Sequence, residues 1–240
     1  MRIQGISGSR GVAVGNVYKY IQEEIVIPDY EVTDDQVESE IGKFASAMAA
    51  TLKQLDTIRQ KALVDMGADE AAIFEAHMQI AQDPSLSDGI KSLVENSKMN
   101  VVAATAQTIE TFAAIFIGMD DPYMRERGAD IKDIGDRLMR NMLGMNPRGL
   151  SHISGEVIIV AHDLAPSDTA SLDKNVVKGI VTAAGGPTSH AAIMARTLEI
   201  PAVMGVGDIE SFTDDVRAVV LGTDGEVITE PSDEERERYT

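Results

Sequence analysis

The chain of 240 residues contains no cysteine. Disulfides, thiolate metal sites and a cysteine nucleophile are thereby excluded, and a reducing compartment fits the composition. Long apolar runs are missing as well. Stretches such as Val157 to Ala161 extend about five residues, whereas a membrane-spanning helix needs roughly 18. No signal peptide precedes the first strand-like segment, so no membrane association and a cytoplasmic location are expected. Positive charge is scarce: 21 Lys and Arg face 39 Asp and Glu, a formal net charge of −18. Such a surface repels a polyanion, which argues against nucleic acid as a partner. The same field speeds encounter with a basic protein, or serves solubility alone.

Several catalytic signatures are absent too. No G-x-x-x-x-G-K-[ST] loop occurs and no dinucleotide-type glycine fingerprint opens the first helix, so direct nucleotide binding has no support. Of the four histidines, His77, His152 and His162 do not pair at helical spacing with one another or with His190. No metal site is expected from them, and no Ser-His-Asp triad can be assigned.

With 44% hydrophobic residues the chain can bury a real core, as one large domain or two small ones. The opening "GISGSRGVAVGNVYKYI" clusters Val, Ile and Tyr between glycines, as short strands with tight turns do. From about Thr33 the period changes. Val37, Ile41, Phe44, Met48, Leu52, Leu55, Ile58 and Ala62 recur at helical steps and predict one long amphipathic helix. A second helical run, "DEAAIFEAHMQIAQ", stops at Asp83-Pro84. Further helices are expected from about Leu86 to Asn96, from Asn100 to about Gly118, and from Pro122 to Leu143, with a stop near Gly144. After Pro147 the β-rich runs "EVIIV", "VVKGIVTA", "PAVMGV", "AVVLG" and "EVITE" follow. The economical arrangement is an α/β domain (residues 1–32 and 145–230) with an antiparallel helical bundle (33–144) inserted into it. Two domains in series are the alternative. The polar tail 231–240 reads as a linker or the start of an exposed helix.

One motif carries chemistry. In "KGIVTAAGGPTSHAAIMARTLEI" a strand ends in two glycines, and Thr188 or Ser189 can cap a helix running through Leu198. The first turn of a helix exposes unpaired N–H groups and the positive end of the macrodipole, which favour a bound anion, phosphate above all. His190 sits there. A neutral imidazole is a competent nucleophile, and the dipole disfavours the cationic form. Were His190 phosphorylated, the helix amides, Thr188, Ser189 and Arg196 are the candidates to stabilise the new charge. The plainer alternative is that His190 caps or packs a turn.

The stretch "GGPTSHAAIMARTLEIPAVMGVG" resembles the phosphohistidine segment of phosphoenolpyruvate-utilising enzymes, with its "GG-x-[TS]-[SC]-H" motif. "RGADIKDIGDRLMRNMLG" (127–144) and "EAAIFEAHMQIAQDP" (70–84) narrow the resemblance to enzyme I of the phosphoenolpyruvate:sugar phosphotransferase system. It implies a swivelling β/β/α phosphohistidine domain with the helical bundle inserted. It implies that His190 is phosphorylated at Nε2 and exchanges the group with the histidine of the phosphocarrier HPr. Thr169, in "LAPSDTASLD", matches a threonine that faces the active histidine; a helix-start hydroxyl is its other reading.

The resemblance also implies that HPr docks on the hairpin from about Asp69 to Leu86. There Asp69, Glu70 and Asp83 would meet a basic carrier, and Met78, Ile80 and Leu86 would form an apolar patch; each is equally readable as a solvated charge or a bundle-core residue. His77 matches a histidine that approaches the active one in some family states, and Arg127 matches a carrier contact or a local ion-pair partner. Pro187 stands where well-known relatives have arginine, and Ala68 and Gln79 are uncharged at carrier-facing positions. A specialised branch, such as a nitrogen-related one, is therefore open. Family members continue into a C-terminal barrel that binds phosphoenolpyruvate and Mg²⁺ and forms the dimer. The resemblance thus casts this chain as the N-terminal half: monomeric, without its own cofactor, and unable to charge itself from phosphoenolpyruvate. A dikinase or synthase swivelling domain and a non-catalytic acidic adaptor are the competing readings.

Overall fold

Periodic apolar residues become helices where the sequence predicts them. The computed structural model describes residues 1–146, 150, 153–170 and 172–239, and for residues 122, 123, 126 and 236 the backbone only. His152 and Pro147, both used above, lie outside the described residues. The chain divides into two compact units, 1–22 with 149–240, and 23–148.

In the helical unit, α1 (Val37–Asp65), α2 (Ala68–Ala81), α3 (Pro84–Ser97), α4 (Val101–Ile117) and α5 (Pro122–Leu143) follow one another with short connections. Local signals set the helix starts. The Asp83 carboxylate accepts the Ser85 N–H at 2.8 Å with Pro84 in the first turn of α3, and the Asn100 side chain accepts the Ala103 N–H at 2.9 Å at the start of α4. The apolar stripes meet around Phe44, Ile90, Val94, Ile109, Ile134 and Leu138. Thr51 and Gln54 of α1 hydrogen-bond Asn141 and Arg137 of α5, so these helices run antiparallel. The α1–α2 and α4–α5 connections therefore share one end of the bundle.

The helical unit begins ten residues earlier than the sequence suggests, at Glu23 rather than Thr33. Residues 23–32 form no helix and carry no helical period, but the bundle holds their backbone. Arg140 donates to the Glu23 carbonyl at 2.6 Å, and Asn100 Nδ2 to the carbonyls of Pro28 (2.8 Å) and Tyr30 (3.2 Å). Hydrogen bonds from side chains distant in sequence leave no local signal.

The other unit is built on an eight-stranded sheet among the described residues. Its strands are β1 (Arg2–Gln4), β2 (Ile6–Ser9), β3 (Val12–Tyr20), β4 (Val157–Ala161), β5 (Val177–Thr182), β6 (Ala202–Met204), β7 (Arg217–Leu221) and β8 (Glu226–Thr229). The order is β1-β8-β7-β3-β4-β5-β6-β2. β3, β4, β5 and β6 are parallel neighbours; the remaining pairs are antiparallel. Every residue of β4 is buried, as expected for a parallel strand covered on both faces. β1 and β2 lie at opposite ends of this order yet are separated only by Gly5, so the two ends of the sheet must come together. At that corner a Cβ on Gly5 would lie 2.6 Å from the Met204 carbonyl oxygen, which only glycine avoids.

Among the described residues three helices complete this unit: α6 (Pro166–Thr169) after β4, α7 (His190–Thr197) between β5 and β6, and α8 (Asp233–Tyr239) at the end. Of the two readings of the tail, linker or start of a helix, the structure shows the helix. Tyr239 packs against the Val219, Leu221 and Ile228 cluster of the sheet.

Candidate functional site

In sheets with parallel strands, the loops beyond the carboxyl ends gather functional groups. Here β4 and β5 are parallel neighbours, so the loops leading into α6 and α7 emerge side by side. They are laced together: Ala183 N–H donates to the Ala161 carbonyl and Ala184 N–H to the His162 carbonyl, each at 2.9 Å. The β6 exit joins them through Val206 N–H to Thr182 O (3.1 Å) and Gly207 N–H to Ala183 O (3.0 Å).

His190 is the first residue of α7. Its loop is shaped from within. Thr182 Oγ1 donates to the Ala184 carbonyl at 2.7 Å, Gly185 turns the chain at φ +89°, and Ser189 N–H closes onto the Gly186 carbonyl at 3.0 Å. A Cβ on Gly185 would lie 3.3 Å from the Ser189 side chain. Ser189 is the N-cap, its hydroxyl accepting the Ala192 N–H at 3.3 Å. The structure thus assigns the cap to Ser189 rather than Thr188, which is exposed. The Nε2 atom of His190 is shielded from solvent although the residue is only partly buried. Ala191, Ala192, Met194 and Ala195 anchor the opposite face of α7 in the core, while Ile193 is 43% exposed.

Thr169 ends the single turn of α6, which packs against α7. It is fully buried, and its hydroxyl donates to the Pro166 (3.0 Å) and Ala165 (3.3 Å) carbonyls. The helix-start reading of this hydroxyl is corrected, because Thr169 stands at the end of the turn and bonds backwards. Arg196 needs correction as well. It lies six residues, about 9 Å of helix rise, from His190, and its Nη1 donates to the Gly8 carbonyl at 2.7 Å. It ties the last turn of α7 to β2, which removes the basis for a contact with a group on His190.

Profiles of the "PEP-utilising enzyme, N-terminal" and "PEP-utilising enzyme, mobile domain" families match residues 4–127 and 153–225. The chain belongs to the PEP-utilising enzymes. Phosphoenolpyruvate-protein phosphotransferases from Listeria monocytogenes and Staphylococcus aureus are 42% and 41% identical to it over 99% of its length. It spans 41% and 43% of theirs. A solution structure of an Enzyme I protein is 37% identical with a TM-score of 0.87, over 99% of this chain and 96% of that one. The N-terminal domain of a nitrogen Enzyme 1 is 24% identical, with a TM-score of 0.66 over 99% of this chain and 97% of that one, and shares the fold. The chain is therefore built like that Enzyme I protein over nearly its whole length.

The expected carrier-facing residues separate into two groups. Asp69 and Glu70 lie in the first turn of α2, Asp69 exposed and Glu70 half-buried; Met78 and Arg127 are half-buried. Two others lie in the core. Leu86 is buried and Ile80 packs against the same core, because both fall on the inward stripe of their helices. Asp83 is exposed, but its carboxylate caps α3.

His77 is fully buried against the edge of Phe74, with Nε2 3.1 Å from Asp130 Oδ1 and Nδ1 3.8 Å from Asp133 Oδ2. It is a packed bundle residue and offers no surface. Sequence reasoning missed the exposed apolar residues at the bundle end that carries Asp69: Leu63, Val64, Ile115, Ile117 and Met119. The signal was there, since these residues extend the apolar runs of α1 and α4 past the point where the opposing stripe ends. Among the described residues there is no cluster of metal-ligating side chains, and no helix is long and apolar enough to cross a membrane.

Proposed function

We propose that this chain is a phosphohistidine transfer module in which His190 accepts a phosphoryl group from the histidine of the phosphocarrier HPr and returns it. One observation carries the reading: His190 heads α7 in a glycine-shaped loop beyond the ends of parallel strands, where helix N–H groups and hydroxyls meet incoming negative charge. In the transfer, the His190 ring turns to bring its shielded Nε2 to the carrier, the N–P bond on the carrier breaks as a bond to Nε2 forms, and the electron pair returns to the carrier's ring. Thr169, at the end of the turn of α6 that packs against α7, is the positioning residue of this reading. Thr188 and the first amides of α7 receive the phosphoryl oxygens.

The carrier docks on the bundle end, with Asp69 and Glu70 as the charged rim and Ile115, Ile117 and Met119 as the apolar centre. Charging from phosphoenolpyruvate with Mg²⁺, and dimerisation, belong in this proposal to the part of the relatives beyond the aligned segment. The setting is cytoplasmic, with sugar uptake as the process served.

The test mixes the chain with radiolabelled phospho-HPr. Acid-labile, base-stable label is expected on the chain and is lost in His190→Ala. Label that persists in this variant refutes the assignment, and no label on the wild type points to the acidic adaptor reading. Phosphoenolpyruvate and Mg²⁺ without carrier are expected to leave the chain unlabelled.

A further inference from the structure

We propose that Pro187 is a positioning residue for His190: it holds the turn before α7 in the shape that caps the helix. The proposal rests on the phosphohistidine reading above. Gly186, Pro187, Thr188 and Ser189 form a β-turn closed by Ser189 N–H to the Gly186 carbonyl at 3.0 Å, with proline in its second place. Thr188 is not among the residues of positive φ, so the turn is type I, whose second residue takes the φ that a proline ring imposes.

The tip of this loop has little else to hold it. Pro187 and Thr188 are exposed, and a Cβ on Gly186 would meet nothing within 4 Å. Gly185 and Gly186, just ahead of the turn, lose more conformational freedom on ordering than any other residue type would. A fixed φ at Pro187 offsets part of that loss, because the open loop has fewer states to give up. The turn delivers Ser189, which is tied three ways: its N–H to Gly186, its hydroxyl to Ala192 N–H at 3.3 Å and its carbonyl to Ile193 N–H at 3.0 Å. His190 follows directly. Its Nε2 is shielded, so the ring turns before transfer, and a backbone that stays put meanwhile keeps the first amides of α7 where the phosphoryl oxygens arrive.

The experiment compares Pro187→Ala and Pro187→Gly with the wild type; the site is exposed, so both variants are expected to fold. Amide hydrogen exchange followed by NMR reads the Ser189 N–H, and rapid-quench exchange with radiolabelled phospho-HPr gives the saturated transfer rate and the carrier KM. Pro187→Ala should speed Ser189 exchange about two- to fivefold and slow saturated transfer about twofold. Pro187→Gly, freer still, should speed exchange about tenfold and slow transfer about fivefold. KM should stay unchanged, and the loss should be the same at about 0.05 and 0.5 M salt, since a restricted backbone is not screened.

Folded variants whose Ser189 N–H exchanges at the wild-type rate overturn the proposal. So does faster exchange with unchanged transfer in Pro187→Gly, or a defect that lies in KM or vanishes at high salt. Failure of the wild type to take label refutes the phosphohistidine reading instead, and the hold of Pro187 on the turn is still decided, because hydrogen exchange is measured without any phosphodonor.

Discussion

Removing the Glu40 carboxylate should loosen the helical unit at a predictable pH. Glu40 is buried in α1, where Oε2 accepts the buried Val101 N–H that opens α4 at 2.9 Å. Oε1 accepts the Tyr30 hydroxyl at 3.1 Å and the Lys43 ammonium one turn on. Burial pushes its pKa up, but Lys43, the Val101 amide and the Tyr30 hydroxyl outweigh burial and hold it below the usual carboxylate range. Glu40→Ala leaves the Val101 N–H without its acceptor, at about 2 kcal/mol, and loses about 1 kcal/mol at Tyr30. Lys43 is half-exposed and adds little.

The sum is about 3 kcal/mol at pH 7. Glu40→Gln keeps one oxygen acceptor and should cost about 1 kcal/mol. A depressed native pKa means that the charged form's contribution is present above the unfolded value near pH 4 and is lost as pH falls through the native value. The gap between wild type and Glu40→Gln should therefore be constant from about pH 7 to 6 and close toward about pH 3. Urea unfolding followed by far-ultraviolet circular dichroism, which reports mainly the helices, measures both. A Glu40→Ala loss below about 0.5 kcal/mol, or a Glu40→Gln gap that does not shrink on acidification, refutes the reasoning.

Leu86→Ala should cost about 3 kcal/mol in the same assay, as a core truncation, and change carrier exchange only through that lost stability. Gly185→Ala meets both a positive φ and the Ser189 side chain. It should lower stability by about 1–2 kcal/mol and slow labelling of His190 by displacing the helix cap. Reversing Asp69 and Glu70 to lysine should slow association with a basic carrier about tenfold at low salt, with the difference disappearing in a stopped-flow series up to about 0.5 M salt. A salt-independent defect would place the docking surface elsewhere.

The bundle was legible because apolar residues at three- and four-residue steps from Val37 to Leu143 encode their own geometry, with Asp83-Pro84 and Asn100 marking the breaks. The α7 start was legible for the same reason: Gly185, Ser189 and His190 act on backbone within one turn of each other. Exposure was harder to read. Periodicity places Leu86 and Ile80 on an apolar stripe but does not say whether the stripe faces the core or a partner. A charge such as Asp83 carries no mark of whether it caps a helix or meets a ligand.

By itself, then, the sequence determined the run of helices and strands and the histidine at a helix start, because each depends on residues close along the chain. Tertiary structure alone decided the rest. It closed the sheet at Gly5, bound residues 23–32 to the helices, turned Arg196 toward Gly8, and placed Tyr20 and Gln22 on Asp168 across 148 and 146 residues. Those contacts depend on which segments the packed core brings together, and a linear pattern holds no record of that until the chain has folded.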